Sequence, residues 1–145
     1  MAQLTFPVVT DELLVDVRVN LHAPALAGLR AAHRPAPVSV VARGIIDTGS
    51  NASGISTSVL QQLALVPYVQ TQTQGIGGSV SVQLYRISLS IFDAAQPHLP
   101  WFVQPDLLVM ELPPGLPVDV LIGMDVLLGC RTLVDGPDRL LTIDF

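Results

Sequence analysis

Ile45-Ile46-Asp47-Thr48-Gly49-Ser50 is the stretch on which the reading of this chain turns. Two apolar β-formers run into Asp-Thr-Gly, and a small hydroxyl residue follows. That order fits a carboxylate carried to the end of a buried strand. Thr48 can hold its neighbours by hydrogen bonds where little other polar material is present. Gly49 lets the backbone turn sharply and come close to another group. An ordinary β-turn would also use Asp47 and Gly49, so the surroundings must decide.

Upstream, Leu13, Val15, Val17, Val19 and Leu21 alternate along residues 12–21, the pattern of a strand with one buried side. Residues 22–37 are small and carry Pro24, Pro35 and Pro37; they read as a loop, with a helical turn or two over 25–32. Residues 38–46 form the strand that enters the motif, and 47–54 the turn after it. Ser56 or Thr57 can cap a short helix over 58–65, which stops before Pro67. Residues 69–84 read as a hairpin with its tip at Gly75, Ile76, Gly77 and Gly78. Its apolar residues fall on even positions up to Leu84 and on odd ones from Ile87, so a β-bulge is expected at Tyr85-Arg86. A phosphate loop at the glycines would need a helix after them, and residues 79–84 are strand-like instead. A plain hairpin turn without function remains an alternative there.

Six prolines occupy residues 97–117, with short strands expected at 101–103 and 107–110 and a loop at 111–117. Residues 118–122 read as an inner strand that runs into Gly123. A short helix over 124–128 ends at Gly129. Residues 131–134 and 140–145 form a closing hairpin around Asp135-Gly136-Pro137-Asp138.

In this order and spacing, Asp47-Thr48-Gly49, Gln74-Gly75-Ile76-Gly77-Gly78 and Val118-Asp119-Val120-Leu121-Ile122-Gly123-Met124-Asp125-Val126-Leu127 resemble the retropepsin-like aspartic proteases. These are the retroviral proteases and their cellular and bacterial relatives. The resemblance runs from about Leu13 to the C-terminus. It implies an all-β fold with one or two short helices and one lobe per chain. Two departures place the chain on a divergent cellular or bacterial branch. Many retroviral enzymes pair an Asp two residues after the motif glycine with an Arg directly after the later glycine; here those positions are Asn51 and Met124. Both partners are gone together, so no unpaired charge is left. The 22–37 loop replaces the tight turn usual in retroviral enzymes.

Composition agrees with a single domain over residues 1–145. That is about half the size a two-lobed enzyme needs. Half the residues are apolar, 13% are charged, and the mean hydropathy is +0.54. Apolar excess of this kind is most easily placed in a subunit interface. No apolar segment has membrane-span length, and the N-terminus lacks a basic region followed by an apolar core. The single Cys130 excludes an intrachain disulfide and fits a reducing compartment, so a cytoplasmic location is expected. Net charge is −5, with seven arginines, no lysine and no basic stripe, which disfavours nucleic acid. His22, His33 and His98 show no metal-ligand spacing, and no metal or cofactor is expected. No histidine is placed to serve Ser50 or Ser53 as a base.

An aspartic protease needs two carboxylates, and the motif occurs once. Asp93, Asp106, Asp119, Asp125, Asp135, Asp138 and Asp144 lie downstream, and none is followed by Thr-Gly or Ser-Gly. The most economical second carboxylate is Asp47 of another copy across a two-fold axis, as the resemblance also implies. The expected function is then an endopeptidase that acts as a homodimer on peptide or protein substrates. Resemblance further implies that Asp47 is catalytic and that Thr48 and Gly49 brace the site. Ser50, Asn51, Ile122 and the flap residues Gly75, Ile76, Gly77 and Gly78 would bind substrate. The alternative is a dimerisation or peptide-binding module of the same fold with little proteolysis. The intact Asp-Thr-Gly favours the enzyme, because a buried carboxylate pair costs stability and an inert module has no need of it.

Overall fold

Two β-sheets carry the chain, and the computed structural model describes all residues 1–145. The larger sheet contains β2 (Leu14–Leu21), β3 (Val40–Ile46), β4 (Gly54–Ile55), β5 (Val69–Gly75), β6 (Gly78–Phe92), β7 (Phe102–Glu111) and β8 (Val120–Ile122), in the order β2-β3-β8-β4-β7-β6-β5. β2 also pairs with β6. The smaller sheet has the order β1-β10-β9, from Gln3–Pro7, Leu140–Asp144 and Arg131–Asp135. Three short helices, α1 (Ala23–Ala31), α2 (Thr57–Gln62) and α3 (Met124–Leu127), complete the chain. No helix is long and apolar enough to cross a membrane.

Alternation builds the core. Val15, Val17 and Val19 on β2 are fully buried, as are Ile87, Leu89 and Ile91 on β6. Antiparallel register sets Val17 opposite Ile91 and Val19 opposite Leu89, so the two apolar rows share one face. Leu4 of β1 and Leu141 and Ile143 of β10 close the core from the smaller sheet.

Several expectations need revision. The 69–84 hairpin forms, with its register running from Val69 opposite Leu84 to Gly75 opposite Gly78. No bulge interrupts β6 at Tyr85-Arg86. The strand is continuous, and burial shifts to the odd residues from Tyr85 onward. Val80, Val82 and Leu84 belong to the projecting hairpin, which no second layer covers, while Tyr85 onward joins the packed sheet. The irregularity lies on β7, where Leu107 and Gln104 oppose Ile87 and Leu89 and one extra residue must be absorbed near Pro105. Proline has no N–H for the ladder, so a bulge there sacrifices little. β7 is accordingly one bent strand rather than two short ones.

The 22–37 insertion holds a full helix, α1, with Pro24 in its first turn and no residue fully buried. Ser56 caps α2 by accepting from Val59 N at 3.3 Å. α2 ends earlier than the sequence implies, turning through Ala64 at φ 49. The C-terminal hairpin forms as read. Its β10 lies between β1 and β9, however, so both of its edges are already paired within the chain.

Candidate active site

Parallel pairing of β3 with β8 creates the site. Ile45 lies beside Leu121 and Ile46 beside Ile122, so the two strands end together, one at Asp47 and the other at Gly123. Asp47 N donates to Ile122 O at 2.9 Å, carrying the pairing one residue past β3. The chain then turns. Gly49 N donates to Asp47 Oδ1 at 2.9 Å, and Ser50 N to Asp47 O at 3.3 Å. The first bond fixes the carboxylate rotamer. Asp47 is half-buried, whereas Thr48 and Gly49 are exposed. The sequence-predicted group Asp47, Thr48, Gly49, Ser50, Asn51 and Ile122 is therefore brought together.

The turn is locked to the loop before α3. Met124 N donates to Ser50 O at 2.8 Å and Asp125 N to Asn51 O at 3.2 Å. Gly123 makes this approach possible. A Cβ there would lie 2.8 Å from the carbonyl carbon and oxygen of Ala52 and 2.9 Å from Ser50 O, all of them backbone atoms. The requirement for glycine is one of space, since its φ of −96° suits any residue.

A pair that the sequence reading did not recognise braces the same joint. Ser53 is fully buried; its Oγ donates to Asp125 Oδ1 at 2.6 Å and accepts from Gly123 N at 2.9 Å. Ser53 N donates to Asp125 Oδ2 at 2.9 Å, and Val126 N to Asp125 Oδ1 at 3.0 Å. Both oxygens of Asp125 are thus occupied. With Asn51 and Met124 in place of an ion pair, the two loops are joined by a hydroxyl and a carboxylate instead. The available signal was a hydroxyl residue four after Gly49 and an acid two after Gly123.

The remaining aspartates downstream of the motif lie in other settings. Asp93 accepts from Ala95 N and Gln96 Nε2, Asp106 pairs with Arg86, and Asp119 accepts from Ser56 Oγ. Asp135 accepts from Asp138 N, Asp144 accepts from Gln3 Nε2, and Asp138 sits in the β9–β10 turn. No group of three or more His, Cys, Asp or Glu side chains is arranged for a metal ion.

Gly75, Ile76, Gly77 and Gly78 lie apart from this cluster, at the free end of the β5–β6 hairpin. Ile76 is fully exposed, and Gly78 adopts φ 110°, a conformation that side chains resist.

Comparison with known proteins places this geometry. A sequence model described as aspartyl protease matches residues 38–126. A retropepsin-like aspartic protease from Rickettsia conorii superposes with a TM-score of 0.62 at 12% identity, over 99% of this chain and 90% of that one. That likeness is one of fold. The EIAV protease complexed with the inhibitor HBY-793 gives a TM-score of 0.46 at 17% identity, over 86% of this chain and 95% of its own. The retroviral protease-like domain of Ddi1 from Leishmania major gives 0.47 at 14%, over 90% and 88%. No curated protein sequence matches the chain significantly.

Proposed function

Because the chain belongs to the aspartyl protease family and has the retropepsin-like fold, we propose that it is an endopeptidase that cleaves peptide bonds as a homodimer, with Asp47 from each copy forming the catalytic pair. The observation that carries this reading is the Asp47 turn itself. It presents one oriented carboxylate with Thr48 and Gly49 exposed beside it, and the Asp-Thr-Gly motif occurs once in the chain.

Two carboxylates about 3 Å apart cannot both ionise cheaply, so the pair holds one proton. The ionised Asp47 takes a proton from a bridging water as its oxygen attacks the peptide carbonyl carbon. The protonated Asp47 of the partner subunit gives its proton to the carbonyl oxygen. A neutral tetrahedral diol results. Proton transfer from the newly protonated Asp47 to the amide nitrogen then lets the C–N bond break, while a diol hydroxyl gives its proton to the partner subunit's carboxylate, so the pair again holds one proton. Thr48 of each copy braces the turn across the axis, and Gly49 offers backbone to the substrate. The tip residues Gly75, Ile76, Gly77 and Gly78 close over an extended peptide, with Ser50, Asn51 and Ile122 on the floor.

Surface area supports association. The chain exposes 8355 Å², whereas a compact monomer of 15.4 kDa exposes roughly 7,200 Å². An ordinary interface covers about 800 Å² per partner. Both edges of β10 are paired within the chain, so residues 140–145 would join an interface through their side chains rather than as an added strand. The free edges of the smaller sheet belong to β1 and β9, and β9 carries Leu133 and Val134 half exposed. A cytoplasmic location agrees with the free Cys130.

Cleavage of a peptide library by the wild type and by Asp47→Asn tests the reading. The variant should fold and dimerise but lose nearly all turnover. Activity should follow a bell with its optimum at about pH 4–6.5. Undiminished cleavage by the purified variant would end it.

A further inference from the structure

The largest cavity in the structure, about 640 Å³, is a groove at the root of the β5–β6 hairpin. Gln70 and Gln83, opposite each other on β5 and β6, form one wall. The end of β7 and the Pro113-Pro114 turn form the other, and Thr57 of α2 stands between them. Five of the groove's nine lining residues, Thr57, Gln70, Ser81, Gln83 and Glu111, are polar. The lining contains one charged side chain, Glu111, and no cation. Thr57 Oγ1 donates to Glu111 Oε1 at 2.6 Å. No arginine pairs with Glu111; the ion pairs of the chain lie at Asp16, Asp106, Asp144 and Asp11. Glu111 is thus held in place by a neutral donor and keeps its charge unneutralised.

The topology joins this groove to the candidate active site. Ile55 of β4 pairs with Glu111 on one side and with Val120 on the other, and β8 leads from Val120 to Gly123 beside Asp47. The same hairpin that walls the groove carries the Gly75–Gly78 tip at its far end, so a peptide lying beneath the hairpin runs toward the groove.

We propose that the groove is a subsite for a lysine or arginine side chain of the substrate, flanking the residues at the scissile bond, with Glu111 as the specificity-determining residue. This rests on the protease reading above. Size selects a long side chain. The Glu111 carboxylate is an anionic acceptor, which a cationic side chain satisfies better than a neutral donor does. A net charge of −5 draws basic peptides in the same direction. Two copies would supply one groove on each side of the cut, so basic residues should be favoured on both flanks.

The test uses peptides identical except for one flanking residue, Lys, Gln or Glu, at successive distances from the cleaved bond. Binding is measured by fluorescence anisotropy to Asp47→Asn, which leaves the peptide intact, and cleavage by the wild type. At one distance on each flank, Lys should bind about twofold to fivefold tighter than Gln, and Glu more weakly than Gln. The preference should shrink in 1 M salt. The double variant Asp47→Asn/Glu111→Gln should bind Lys and Gln peptides alike. Equal binding of the three peptides at every position, or the same preference after Glu111→Gln, would overturn the assignment. Failure of the wild type to cleave any peptide would count against the protease reading, while the anisotropy series would still decide the groove.

Discussion

Ser53→Ala probes the joint that holds the Asp47 turn against the loop before α3. The substitution removes one oxygen and no packing beyond it. That oxygen donates to a carboxylate at 2.6 Å and accepts from Gly123 N at 2.9 Å, at a fully buried position. The bond to the carboxylate is worth about 1.5–3 kcal/mol and the one from the neutral N–H about 0.5–1.5 kcal/mol. Asp125 Oδ1 keeps the N–H of Val126, which softens the loss on that side. Gly123 N–H keeps nothing. The expected destabilisation is about 2–4 kcal/mol. With a urea slope near 2 kcal/mol/M, the midpoint should fall by about 1–2 M. Unfolding is followed at fixed protein concentration, because a dimer's stability depends on it. Asp125→Asn and the double variant complete a cycle. If the two side chains act through each other, the double variant should cost at least about 1 kcal/mol less than the two singles added. A Ser53→Ala cost under about 0.5 kcal/mol, or strict additivity, would refute the bracing role.

Three further outcomes are expected from the geometry. Gly123→Ala forces a methyl against the backbone of Ala52 and Ser50, so it should cost about 1–3 kcal/mol or more and depress kcat as Asp47 is displaced; thermal unfolding and turnover check both. Tyr85 ionises with difficulty, first because it is buried and second because Glu111 is near. Its folded value lies above the unfolded one, so the stability it contributes is whole below about pH 10 and drains away as pH rises through the folded value; Tyr85→Phe should flatten that alkaline limb in pH-dependent melts. Asp106 is held below the usual carboxylate range, chiefly by its hydrogen bond from Arg86. Its contribution is therefore present above about pH 4 and lost as pH falls through the depressed folded value, and Asp106→Asn should lose stability less steeply than the wild type under acid.

Long-period signals made much of the fold legible. Alternation along β2 and the turn chemistry of the two hairpins depend on local sequence, and they reappear with small boundary shifts. β1 was not legible, because Leu4 and Phe6 are only two apolar points and gain their meaning from pairing with a strand more than 130 residues away. β4 has two residues and exists only because β7 and β8 flank it. The phase change in β6 was visible, but its cause was not. A bulge and a change in the covered face leave the same trace in sequence, and only the layer beneath distinguishes them. At the site, Asp47, Thr48 and Gly49 announce themselves by residue type. Ser53 and Asp125 do not, because a serine and an aspartate 72 positions apart become a pair only once β3 and β8 align.

Mixing subunits tests the central claim that two copies of Asp47 make one site. Wild-type protein is held at a fixed concentration above the dimer dissociation constant, and Asp47→Asn is added in increasing amount. Each mixed dimer carries a single catalytic carboxylate. With a ninefold excess of variant, about one tenth of the wild-type chains should pair with one another, and cleavage should fall to about that fraction. Cleavage that stays constant as the variant is added would contradict the shared site and require a complete catalytic pair within one chain.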